Sequence, residues 1–170
     1  MPSSVMPDDG LVRDLLWDSV SGYFEPDGSL LDVYVFDVDV SSWQLAIDAL
    51  RSQSWRLDYT YDGSARPLPH DVGEIFQHRG DAATSLHVWP RPTITVNSHF
   101  FSEDEIEFDV DPGEFHGQDH LDAMCAVLRL IGATLDLPVY VTPENTRDNA
   151  LLIYDPAIDR VTVAADAKPA

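Results

Sequence analysis

Residues 120–136, HLDAMCAVLRLIGATLD, place Leu121, Met124, Cys125, Leu128, Ile131 and Leu135 on one stripe at helical spacing, and Pro138 stops the pattern. A helix with a single apolar stripe must bury it against another layer. The rest of the chain supplies that layer as short strands. LLDVYVFDVDV (30–40) is β-branched and aromatic, and WRLDYTY (55–61) alternates Trp55, Leu57, Tyr59 and Tyr61 with polar residues. SLHVW (85–89) and TITVNSHF (93–100) read as a hairpin around Pro90-Arg91-Pro92. EIEFDVD (105–111), PVYVT (138–142) and a last hairpin made by ALLIYD and RVTVA complete the set.

A second helix, WQLAIDALRSQ, shares one face through Trp43, Ile47 and Leu50, with Ser41 or Ser42 as its expected cap. DGLVRDLLWDSV (9–20) reads as a peripheral amphipathic helix, and 70–79 as one or two helical turns. DGSARPLP (62–69) is expected as loop, and residues 165–170 as a frayed tail. Strands and helices mix without regular βαβ alternation. The expectation is a single α+β domain over 1–170, a largely antiparallel sheet with helices packed on one face. The order is compatible with a weak βα-ββ duplication.

Charge sets the class of partner. Asp+Glu number 30 against Lys+Arg 10, a formal net charge of −20, with Lys168 the sole lysine. Such a chain repels nucleic acid and anionic lipid and attracts basic surfaces. The acidity is also local, since no lysine or arginine falls between Arg91 and Arg129. Nine carboxylates crowd 103–122: Glu103, Asp104, Glu105, Glu107, Asp109, Asp111, Glu114, Asp119 and Asp122. A solvent-adapted surface would spread them evenly. One cysteine permits neither an internal disulfide nor a thiolate cluster. The start, MPSSVMPDDG, lacks a secretory pattern, and no apolar run approaches the about 18 residues of a membrane span, so a cytoplasmic protein is expected.

Candidate chemistry is thin. In EIEFDVD, strand parity sends Ile106, Phe108 and Val110 one way and Glu107, Asp109 and Asp111 the other, about 6.7 Å apart along the strand. An ordinary solvated face is the simplest reading of that motif taken alone. Gly28-Ser29 ahead of Asp37 and Asp39 invites comparison with nucleotidyltransferases, with Asp109 as a third carboxylate for a metal. The helix that family places between turn and strand has no room here, and a triphosphate would meet one lysine. His116 and His120 read as a surface pair at a helix start, without the glutamate of a zinc-protease motif. No Gly-x-Ser-x-Gly elbow occurs, and Cys125 falls on the apolar stripe. No catalytic residue, metal ligand set or cofactor is assigned.

The run NSHFFSEDEIEFDVDPGEF, the helix ending LIGATLDLPVYVTPEN, and ALLIYD together resemble small acidic immunity proteins encoded beside bacterial polymorphic toxins, over roughly residues 30–155. The resemblance implies a protein that performs no chemistry, binds its cognate toxin and occludes its active site. Many such toxins are nucleases with basic clefts.

Charge and parity, independently of the resemblance, give the expected contacts: Glu103, Asp104, Glu105, Glu107, Asp109, Asp111 and Glu114, with Phe101 or Trp55 as aromatic anchors. The partner is then a basic protein, neither nucleic acid nor membrane. Two alternatives stand beside it: a nucleic-acid mimic that inhibits a DNA-binding enzyme, and a metal-dependent enzyme on Asp37, Asp39 and Asp109.

Overall fold

A computed structural model of the chain describes residues 13–170. Its strands are β1 (Leu31–Phe36), β2 (Arg56–Tyr61), β3 (Ser64–Arg66), β4 (Thr84–Arg91), β5 (Ile94–Ser98), β6 (Glu105–Val110), β7 (Val139–Pro143), β8 (Leu152–Asp155) and β9 (Arg160–Val163). The helices are α1 (Trp17–Val20), α2 (Val40–Arg51), α3 (Val72–Gln77) and α4 (Gln118–Leu135). All strands join one nine-stranded sheet in the order β3-β2-β4-β5-β6-β1-β7-β8-β9. Every pairing is antiparallel. This is the α+β domain that the patterning predicts.

Topology decides which face the helices cover. β1 and β6 lie side by side at the centre. From β1 the chain crosses by α2 to β2 on one flank, and from β6 it crosses by α4 to β7 on the other. A half-turn about the sheet normal relates the two crossovers. Connections of the one preferred hand therefore put both helices on the same face, where α2 and α4 pack together and α3 packs on α2. Chain order suggests two similar βα units, but they fill the sheet in opposite senses. The first re-enters far out at β2 and works inward, and the second re-enters at β7 and works outward.

Trp43, Ile47 and Leu50 of α2 and Leu121, Met124, Leu128 and Ile131 of α4 are buried against Val33, Val35, Ile106, Phe108, Val110, Val139 and Val141. Cys125 is buried with them, its thiol pushed up to about 12 chiefly by desolvation, which leaves it inert. Gly132 lets the Tyr154 ring approach α4, because a Cβ there would meet that ring at 2.2 Å.

Several local expectations change. The first strand stops at Phe36, because Asp37 adopts a left-handed φ of 58°. Asp39, and neither serine, caps α2: its carboxylate accepts from the Ser42 N–H while the Asp39 N–H donates to Ser42 Oγ. Residues 64–66, expected as loop, form β3. Of the helix expected over 9–20, residues 9–12 lie outside the described residues. From Arg13 onward only Trp17–Val20 is α-helical, and a 3-10 turn follows at Ser21–Phe24.

That segment is firmly held. Gln118 accepts from the Trp17 N–H at 2.8 Å and donates to the Leu15 carbonyl at 2.9 Å. Asp14 takes both of its oxygens to Arg129 at 2.6 Å. The tail expected to fray returns to the 3-10 turn, where Tyr23 donates to the Lys168 carbonyl.

Candidate protein-binding face

The face opposite the helices carries the acidic strand. Register places Asp32 opposite Asp109, Tyr34 opposite Glu107 and Phe36 opposite Glu105. On the far side of β1, Asp32 meets Thr142 and Tyr34 meets Tyr140. Because directly opposed residues share a face, one polar row runs unbroken across six strands: Asp58, His87, Asn97, Asp109, Asp32 and Thr142.

The carboxylates of this face differ in their partners. Glu105, 6% exposed, is gripped at both oxygens by Arg147 at 2.7 Å. Arg147 comes from the β7–β8 loop, and its guanidinium also lies 5.6 Å above the Tyr34 ring. Asp109 accepts from Asn97 Nδ2 at 3.2 Å and faces His99 Nε2 at 3.4 Å. Asp32, 3% exposed, accepts from the Asn145 N–H at 2.8 Å and from the Tyr34 hydroxyl at 3.1 Å. Glu107 makes no hydrogen bond or salt bridge among the described residues, though it is half-buried between Asp32, Glu105 and Asp109.

Burial and crowding act on proton affinity in one direction. Desolvation raises the pKa of Asp32, Glu105 and Glu107. Neighbouring carboxylates add to the rise, while Arg147 opposes it at both glutamates. The hydrogen bond to Asp109 raises His99. A protonated His99 adds a cation beside Asp109 to the guanidinium groups of this face, Arg147 at Glu105 and Arg56 at Asp58.

Beside the acids runs an aromatic strip. Tyr34 and Phe36 stack at 5.4 Å, and Phe36 meets Tyr140 at 5.6 Å. Phe101, 61% exposed, lies 5.3 Å from the His99 ring. Its neighbour Phe100 is buried against Trp43, and the left-handed φ of 54° at Phe100 turns the two rings apart.

Of the expected contacts, Glu105, Glu107 and Asp109 come together on the open face with Phe101 beside them. Glu103 and Asp104 are exposed in the turn before β6, next to Val38–Ser41. Asp111 and Glu114 are engaged by backbone: Asp111 accepts from the Gly113 N–H at 2.8 Å, and Glu114 from the Thr95 N–H at 3.1 Å. Trp55 is elsewhere. It packs partly on the core beside β2, with β4 and β5 between it and the acidic strand, in a cleft with Arg56, Trp89 and Arg91.

The carboxylates of the metal alternative do not converge. Asp39 caps α2, Asp37 follows the last residue of β1, and Asp109 sits opposite Asp32 near that strand's other end. Among the described residues no three His, Cys, Asp or Glu side chains are grouped to hold a metal ion. His116 and His120 pair at the start of α4, where the His120 ring accepts from the His116 N–H at 3.0 Å. Ser85 Oγ meets His99 Nδ1 at 3.0 Å, which makes a Ser-His-Asp relay with Asp109. Ser85 is the second residue of β4, opposite Thr60 of β2 and next to the loop that ends at Ala83, and its hydroxyl orients the His99 ring toward Asp109.

Sequence reasoning missed Asp32, Tyr34, Phe36 and Arg147. The alternation Asp32-Tyr34-Phe36 was present in LDVYVF, but its polar meaning depends on pairing with β6. Arg147 carries no local signal. No protein-family model, curated protein or solved structure matches the chain. Among the described residues no helix is long and apolar enough to cross a membrane.

Proposed function

We propose that the chain is a non-enzymatic binding protein that receives a basic protein surface on its open sheet face, as an immunity protein occludes the substrate cleft of a toxin. One observation carries the reading: among the described residues, the face opposite the helices gathers Asp32, Glu105, Glu107 and Asp109 around a single guanidinium, held by Glu105, and leaves Glu107 half-buried without a partner, with exposed Phe101 against the nearby His99. A half-buried carboxylate that lacks a partner among the described residues favours an incoming cation. Phe36, Tyr140 and Phe101, the accessible members of the aromatic strip, supply rigid contact area at low entropic cost, and the acids steer encounter. A toxin of the nuclease kind suits it, since a cleft built for phosphates accepts an acidic face.

The test is association with the product of the neighbouring gene, measured against salt. The on-rate should fall as ionic strength rises, and Glu107→Gln with Asp109→Asn should weaken the complex by about tenfold or more. A complex indifferent to both salt and these substitutions removes the interface.

A further inference from the structure

On the helix side, at the β2–β3 edge, a groove of about 430 Å³ opens between the strands, α3 and the segment 67–70. Tyr61, Leu68, Ile75 and the prolines Pro67 and Pro69 give it mostly apolar walls. The wall is held in place from α2. Arg51 donates to the Pro69 carbonyl, Gln44 donates to the His70 carbonyl at 2.7 Å, and the same Gln44 accepts from the Val72 N–H at 2.8 Å. A shape fixed this way needs little ordering to receive a ligand.

Its polar groups are mainly donors. Tyr59 is only 6% exposed and lines the groove, and its hydroxyl has no hydrogen-bond partner among the described residues. Arg66 lies 4.6 Å over the Tyr61 ring and forms no salt bridge among the described residues, in a chain where acids outnumber bases 30 to 10. The Nδ1 of His70 faces Arg51 at 3.2 Å. A guanidinium can only donate, so the His70 ring carries its hydrogen on Nε2 and offers a further donor. The one carboxylate of the lining, Glu74, is exposed and can turn to solvent.

We propose that this groove binds a small aromatic or branched-apolar organic acid, its body against Tyr61, Leu68 and Ile75, and its anionic group held by Arg66 and the Tyr59 hydroxyl. The site is separate from the open face and independent of its reading.

Anilinonaphthalene sulfonate, an apolar body with one anion, is the probe, titrated by fluorescence into the full chain beside uncharged anilinonaphthalene. The sulfonate should bind saturably, one per chain. Arg66→Gln and Leu68→Asp should each weaken it about tenfold, and Tyr59→Phe about threefold. Ile158→Asp, which removes an exposed apolar residue far from the groove, should leave it unchanged. Thermal unfolding confirms that each variant is folded. Binding untouched by Arg66→Gln and Leu68→Asp, binding lost in Ile158→Asp, or equal affinity for the uncharged probe overturns the proposal, as does the absence of saturable binding.

Discussion

Asp109 on β6 lies directly opposite Asp32 on β1, so two carboxylates face each other across the central pair of the sheet. Like charges so placed destabilise a sheet. The chain tolerates them by surrounding each with donors: His99 and Asn97 at Asp109, Tyr34 and the Asn145 N–H at Asp32. Glu107, two residues along, has no such relief. The repulsion is concentrated on the face proposed to meet a partner.

Stability should therefore rise on mild acidification. Asp32, Glu105, Glu107 and Glu114 all have raised proton affinity in the folded state, chiefly through burial, and His99 through Asp109. A raised folded pKa stabilises below the unfolded value and loses that contribution as pH climbs through the folded one. For His99 the loss begins above its ordinary 6.5, and for the carboxylates above their ordinary 3.8 to 4.5. Asp27, Asp39 and Asp159 have lowered values and act oppositely, losing their contribution as pH falls below 3.8. Thermal melts from pH 8 to pH 3 should peak on the acid side of neutrality. A peak at or above pH 8 contradicts this picture.

Glu107→Gln should make the isolated protein more stable at neutral pH while weakening the complex. Removing an unpaired, half-buried charge is worth up to about 1 kcal/mol, about 2–4 °C in melting temperature. A residue kept for stability would show the reverse sign in calorimetry.

Arg147→Ala should destabilise by about 2–3 kcal/mol at neutral pH, because it strands Glu105 without its bidentate partner. Adding Glu105→Gln should restore much of the loss. A double-mutant cycle in urea measures the coupling, and additive losses would show that the pair does not act as a unit.

Gly132→Ala should cost about 1–3 kcal/mol, since the new methyl group collides with the Tyr154 ring. Adding Tyr154→Ala removes that collision, so the effect of Gly132→Ala should be smaller in the Tyr154→Ala background than alone. Denaturant melts of the single and double variants compare the two.

Periodicity made much of this legible. The stripe of Leu121, Met124, Leu128 and Ile131, and the outward parity of Glu107 and Asp109, were written in consecutive residues. What stayed hidden depends on register and loop geometry. Nothing in EIEFDVD announces that Asp32 will stand across from Asp109, and nothing in PENTRD announces that Arg147 will reach Glu105. Asp39 was legible as polar but not as a cap, because the end of β1 turns on the left-handed Asp37, a backbone event rather than a composition. Trp55 was named from its aromaticity and its place near other aromatics, and sheet order separates it from the acids.

The central β1–β6 pair joins segments drawn from opposite halves of the chain. Its loop must close before either strand gains from the pairing, a high-contact-order step that slows folding. The acidic face therefore forms only once β6 has been synthesised and has paired with β1. Only a chain with that pair closed displays the face, so the recognition proposed for it would double as a readout of successful folding.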